Sequence, residues 1–220
     1  MNKLILRGVA LAVIVMFLGL GCNEDADGNV DTFIGRFRYR STITTFVDSR
    51  DGKSYKGVKI DGQVWMTENL NCEAAGGVCY DNDPANCTKY GRLYNWNDAK
   101  EACPSGWHLP SDDEWTTLIN HAGGYETAGR KLKATSGWYS DRFGKDYDKG
   151  GTDDFCFAAL PGGSSIFGDI GIEGRWWSAT ERAYTALHLH MNYGMANVGR
   201  YEADNRSTLT LFSVRCVQDE

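Results

Sequence analysis

Positive charge is the first thing this chain lacks. Its 220 residues carry 23 Lys and Arg against 29 Asp and Glu, a formal charge of -6. Setting aside Lys3 and Arg7 near the start leaves 21 against 29, or -8. Such a balance excludes nucleic acid as a partner, and with it electrostatic attachment to anionic lipid. The cysteines fall in no pair-of-pairs spacing, so a zinc site of that type is excluded too. No phosphate-cradling glycine loop, nucleotide fingerprint or Ser/His/Asp order occurs, nor any internal repeat or low-complexity block. What remains is a chain of one ordinary domain, 42% hydrophobic with seven Trp, long enough to bury a real core.

Residues 1–21 read as an export leader. Lys3 and Arg7 form a positive start, and Val9 to Leu20 is an apolar run too short to span a bilayer comfortably. It ends Leu18-Gly19-Leu20-Gly21-Cys22, similar to a bacterial lipoprotein signal in which Cys22 becomes the lipidated N-terminus. The favoured Leu lies one place too far upstream, and Gly19 takes its position. Lipidation of Cys22 would give durable anchoring, which places the chain in the bacterial outer membrane, at the cell surface or facing the periplasm. Residues 22–45 read as an acidic flexible tether, because Asn23 to Asp31 is polar and without apolar periodicity. Asp25, Asp27, Asn29 and Asp31 alternate as calcium-loop ligands do, but no Glu closes the loop and no helix flanks it.

The domain proper runs over 46–220. Asp51-Gly52 and Asp61-Gly62 are hairpin turn pairs, with Val58/Ile60 and Val64/Met66 alternating around them. Cys72 to Cys87 reads as a loop with turn chemistry at Asp81 to Pro84, short enough for Cys79 and Cys87 to staple. A short helix is expected near Asn97 to Ala102, stopped by Pro104. Ser111 and Glu114 have capping-box spacing, and Trp115, Leu118 and Ile119 give the following helix one buried face. A further short helix fits Ala128 to Ala134. Ser136 to Phe155 is long and irregular, of a length usually functional or disordered. Strands are expected at Phe157 to Leu160, Arg175 to Ala179, Ala186 to His190 and Leu209 to Val217. Beyond Cys22 six cysteines remain, an even number that reads as three disulfides with 15 connectivities open.

A series of short motifs in order resembles a known family. Asp61 to Leu70 (DGQVWMTENL), Tyr90 to Tyr94 (YGRLY), Cys103 to Ser111 (CPSGWHLPS), Ala159 to Gly163 (ALPGG), Trp177 to Thr180 (WSAT) and Ser213 to Val217 (SVRCV) resemble the Fibrobacter succinogenes major paralogous domain. The resemblance implies an α+β, C-type-lectin-like fold related to formylglycine-generating enzymes. Two to three short helices would pack on small twisted antiparallel sheets with long loops, stapled by disulfides. It further implies a bridge from Cys103 to Cys216. With Cys79–Cys87 local, Cys72 and Cys156 are then left to pair with each other.

Against that resemblance, lectin-type calcium binding lacks its residues: Trp96-Asn97-Asp98 precedes the capped helix, and Trp177-Ser178-Ala179 carries no carboxylate. Formylglycine chemistry needs cysteines before the final Arg strand, and none lies between Phe157 and Arg215. Binding is the remaining class, with an oxidase of that kind or a purely structural surface protein as alternatives. Trp138, Tyr139, Phe143 and Tyr147 put aromatic rings in the long loop, suited to stacking on a sugar or docking on a protein, although Trp138 also fits as the loop's anchor. Asp146, Asp148, Asp153 and Asp154 offer hard oxygens for calcium, yet a solvated acidic loop is the commoner outcome, so no cofactor is assigned. Trp176 and Trp177 point to opposite faces of a strand, and the family pattern makes Trp177 the core residue and Trp176 the exposed one. His188 and His190 share a strand face without a third ligand nearby, and His108 and His121 read as structural. The expected ligand is an extracellular glycan or protein, bound without catalysis.

Overall fold

A computed structural model of the protein describes residues 22, 29–34, 37–139, 150–165 and 170–220. It opens on an antiparallel hairpin of β1 (Asn29–Ile34) and β2 (Phe37–Val47), in register from Asn29↔Thr42 to Ile34↔Phe37. Residues 29–45 are therefore largely strand and not tether. The acidic start hid a segment dense in Val, Ile, Thr, Phe and Tyr, the residues that suit a pleated surface. β3 (Ser54–Ile60) and β4 (Gln63–Met66) continue the meander. Between them Asp61 and Gly62 both adopt positive φ, 47° and 87°, the two-residue turn that the Asp-Gly pair favours.

The stretch read as a loop from Cys72 holds a helix, α1 (Pro84–Tyr90). Asp83 caps it by accepting the Ala85 N–H at 2.9 Å, and Pro84 takes the first helical position, where its missing N–H costs nothing. β5 (Leu93–Tyr94) follows, then α2 (Trp96–Ala102), capped by Asn95 on the Asp98 N–H, and β6 (Trp107–His108). α3 (Asp112–His121) carries the full capping box: Ser111 Oγ accepts the Glu114 N–H, and Glu114 Oε2 accepts the Ser111 N–H at 2.7 Å. Its Trp115, Leu118 and Ile119 are fully buried. α4 (Ala128–Leu132) ends two residues earlier than its pattern suggested.

β7 (Glu173–Arg182), β8 (Thr185–Asn192) and β9 (Gly199–Asp204) form a second meander. Phe157 to Leu160 makes only an isolated bridge, Lys133↔Ala159, instead of a strand. Leu209 to Val217 is not one strand but two, β10 (Phe212–Ser213) and β11 (Val217–Gln218), which belong to different sheets. The sheets run β1-β2-β3-β4-β11-β6 and β5-β10-β7-β8-β9, the second mixed because β10 lies parallel to β7. The class is α+β, with four short α-helices among the described residues.

The terminal segment thus crosses from one sheet to the other, and Arg215 lies at the crossing with no solvent exposure. Its guanidinium donates to Asn69 Oδ1 at 2.8 and 3.2 Å, to the Met66 carbonyl at 3.0 Å and to those of Phe157 and Ala158 at 2.5 and 3.3 Å. Asn69 Oδ1 also accepts Trp176 Nε1–H at 2.9 Å, and its Nδ2 donates to the Tyr90 carbonyl. Trp176 and Trp177 do point opposite ways, but both are fully buried, each in its own core cluster. The expectation that Trp176 is exposed fails because both faces of β7 are covered here. A Cβ on Gly174 would lie 2.2 Å from the Trp176 ring, so that ring needs glycine beside it.

Asn69→Ala would strip a buried cation and a buried indole of their shared acceptor. The expected cost is about 3–5 kcal/mol, the range for removing one partner of a buried charge, read from urea unfolding with the disulfides intact.

Candidate functional site

The described residues among those expected to form a ligand surface do not come together as one. Trp138 is buried as an anchor, its Nε1–H donating to the Ala159 carbonyl at 2.9 Å. Asp153 is buried and accepts the Ala158 N–H at 2.8 Å, capping its own turn; burial pushes its carboxyl up to about 6. Trp176 is core. Asp154 is half-buried and Tyr139 stays 48% exposed, edge-on to Tyr193. Phe143, Tyr147, Asp146 and Asp148 lie outside the described residues.

The sulfur pairing is part expected and part different. Cys79–Cys87 and Cys103–Cys216 are bonded. Cys156, however, pairs with Cys22, and Cys72 is the free thiol. Cys72 and Cys156 sit in separate core clusters, which sequence spacing cannot show. In this structure the Cys22 sulfur is bonded to Cys156, the same atom that a lipid thioether would use.

One grouping among the described residues has metal-ligand geometry: Asp48, Asp51 and Cys72 have donor atoms within 4.8 Å of one another. Cations of the protein already fill it. Arg50 takes both oxygens of Asp48 at 2.7–3.2 Å and the Ala102 carbonyl at 2.6 Å, while Lys53 pairs with Asp51 at 3.1 Å. Burial raises the Cys72 pKa, holding it as a thiol. A soft, charged metal site is a poor fit to such a set.

The histidines divide into two kinds. His108 bridges Glu114 (Nε2–Oε1 2.8 Å) and Asp219 (Nδ1–Oδ1 2.6 Å), tying the α3 cap to the residue that follows β11. Burial lowers its pKa, but the two carboxylates outweigh that and leave it raised. His188 lies under Tyr201 and against Phe212, and its Nδ1 finds no hydrogen-bond partner among the described residues. Burial, with Arg175 nearby, pushes it down to about 3. His190, 3.5 Å from Glu173, is lowered for the same reasons. The pair therefore sits neutral, in a packed strip of sheet.

Open concave space instead flanks the Cys79–Cys87 loop. One cleft of about 530 Å³ is walled by Lys53, Asn71, Glu73, Gly77, Thr88 and Arg92; another of about 310 Å³ by Tyr80, Asp81, Leu93, Ser164, Ser165 and Leu211. Val78, Cys79 and Asn82 form a ridge common to both. The ridge is rigid. Its disulfide closes it, Val78 and Leu93 exchange two 2.9 Å backbone hydrogen bonds, and Asp81 and Asn82 hold left-handed φ of 53° and 56°. A Cβ on Gly77 would lie 2.4 Å from the Tyr94 ring.

Charge in the larger cleft is internally balanced. Arg92 donates to the Gly77 carbonyl at 2.9 Å and pairs with Glu73 at 3.0 Å, and Lys53 reaches Asp51 and the Asn71 carbonyl. Among the described residues Asn71 Oδ1 and Arg92 Nε find no partner, against the general rule that buried polar groups are paired. Sequence reasoning missed this region. Its one available signal was the eight-residue Cys79–Cys87 spacing next to Asp-Pro.

A family model described as the Fibrobacter succinogenes major domain matches residues 58–218. No curated protein and no solved structure matches the chain.

The buried neutral His188 sets a pH dependence. Its folded pKa lies below its unfolded one, so its neutral form contributes fully above about 6.5. Below that, the unfolded chain takes a proton the folded one refuses, and stability falls by up to about 1.4 kcal/mol per pH unit. Urea unfolding of the protein and of His188→Phe should show their stability difference shifting in favour of the variant by about that slope as pH drops from 6.5 toward 4.

Proposed function

The chain belongs to the Fibrobacter succinogenes major domain family, and on that premise we propose that it is an exported, non-enzymatic binding protein for an extracellular glycan. The observation that carries this is the pair of polar clefts sharing one rigid, disulfide-closed ridge. Their walls mix donors and acceptors, and the cations of the larger one, Arg92 and Lys53, are already paired with Glu73 and Asp51, which suits a hydroxyl-rich molecule more than an ionic one. Three disulfides support an oxidising compartment outside the cytoplasm. A C-type-lectin-like arrangement, with the end of α2 stapled through Cys103–Cys216 beside the last strand, is the finer fold reading that goes with this role.

An oxidase of the formylglycine-generating kind is the alternative. It is disfavoured because Cys72, the one unpaired cysteine, is buried and protonated, and a thiol reacts as its thiolate. A protein ligand is a second reading, favoured by the exposure of Tyr139, Tyr184 and Leu209. Attachment to the outer membrane, at the surface or facing the periplasm, turns on a single atom, the sulfur of Cys22.

A glycan array on the exported protein, followed by calorimetry on any hit, tests the proposal. Thr88 is exposed on α1 in the wall of the larger cleft, so Thr88→Trp fills that cleft without touching the core. It should weaken binding at least tenfold while leaving Tm unchanged and EDTA without effect. Binding lost in Tyr139→Ala but kept in Thr88→Trp would move the site to the long loop, and no binding on the array would remove the glycan. A thiol reagent should find one reactive cysteine per chain, and only after denaturation; a rapidly reacting native thiol would revive the oxidase.

A further inference from the structure

We propose that the exported chain begins at Cys22 and keeps that residue in a disulfide with Cys156, so that Cys22 is a structural staple and carries no lipid. Independent observations meet on it. The Cα atoms are 5.5 Å apart, inside the range a disulfide needs, and Cys22 packs partly buried against the cluster that holds Cys156 and Phe155. A diacylglyceryl thioether would use the same sulfur and would have to leave from that packed position.

Cysteine arithmetic agrees. With Cys22 bonded, one thiol remains, Cys72, buried in the other cluster. With Cys22 lipidated, Cys156 and Cys72 would both be buried thiols, in separate cores, in a compartment that oxidises thiols. The leader agrees as well. Gly19-Leu20-Gly21 places small residues three and one before Cys22, the pattern of an ordinary cleaved signal, whereas the Leu favoured for lipidation, Leu18, is displaced by one. Cleavage adds water across the Gly21–Cys22 bond and frees the Cys22 amine. The two thiols then lose two protons and two electrons to a dithiol–disulfide oxidant of the exported compartment, which is reduced to its dithiol as the S–S bond forms.

The full chain with its leader, exported from a bacterial host and alkylated in denaturant before any reduction, provides the test. Trypsin then releases 22–36 and 150–175 as separate peptides only if they are not cross-linked. The expected result is one cross-linked species of the two, with a free amine on Cys22, which separates on reduction. A diacylglyceryl mass on 22–36 with Cys156 alkylated would overturn the proposal, as would a Cys72–Cys156 link or alkylation of both Cys22 and Cys156. Cys22→Ser adds a readout independent of the bond. Its leader should still be removed at the same bond and the protein recovered without detergent. Accumulation of uncleaved, membrane-bound precursor would mean that processing had required the cysteine as a lipid acceptor.

Discussion

A buried guanidinium held by backbone carbonyls and one side-chain amide joins the two sheets. Burying an ion of this size costs several kcal/mol even after relaxation, and Arg215 offsets that cost with hydrogen bonds to three carbonyls and one amide, over the face of Phe157 at 4.6 Å. Burial draws its pKa down to about 10, which still leaves it protonated at neutral pH. The carbonyls it takes belong to Met66, Phe157 and Ala158, at the places where the chain leaves one sheet or turns beneath the other. A hydrophobic residue would fill the volume and leave those acceptors empty. The ion therefore specifies one geometry for three segments distant in sequence.

Asn69 extends that constraint outward. Its oxygen is shared by Arg215 and Trp176, and its amide nitrogen holds the Tyr90 carbonyl at the end of α1. Gly91 is pressed so close to Asn69 that a Cβ there would meet its side chain at 2.7 Å, and Arg92 N–H bonds the Leu70 carbonyl. The cleft ridge is thus fixed at one end by its own disulfide and at the other by the core. A preformed polar cleft loses little entropy on binding, which is the physical reason the proposed recognition is assigned to the clefts and not to the long loop.

Features governed by neighbours in sequence were legible: the Asp61-Gly62 turn, the Ser111–Glu114 box, the buried face of α3 and the Cys79–Cys87 staple. The family motifs added the Cys103–Cys216 bridge. Asp83-Pro84 was ambiguous, since the same dipeptide ends a loop or starts a helix, and only the packing of Cys87 and Tyr90 decides. Alternation placed Trp176 and Trp177 on opposite faces correctly but could not tell that both faces are covered. Lys133 was invisible for the same reason. Its buried ammonium donates to the carbonyls of Asn192, Tyr193 and Met195 at 3.0, 3.3 and 2.8 Å, capping a β8–β9 loop sixty residues away. The clefts, too, have walls drawn from four separate stretches.

The turn from Asp153 to Ala158 shows what such long-range terms can sustain. Asp153, Cys156 and Ala158 all adopt left-handed φ, at 47°, 58° and 50°, a conformation costing roughly 1–2 kcal/mol for each non-glycine residue. Nothing local favours it, and Gly would be the cheaper choice at each position. It persists because the Asp153 carboxylate grips the Ala158 N–H, Arg215 grips the carbonyls of Phe157 and Ala158, and Cys156 is bonded to Cys22. Three restraints therefore act on six residues, and two of them come from residues distant in sequence, Cys22 and Arg215. The N-terminal staple is then more than a tie for a loose end: it closes, from the outside, the same strained turn that the buried arginine closes from within.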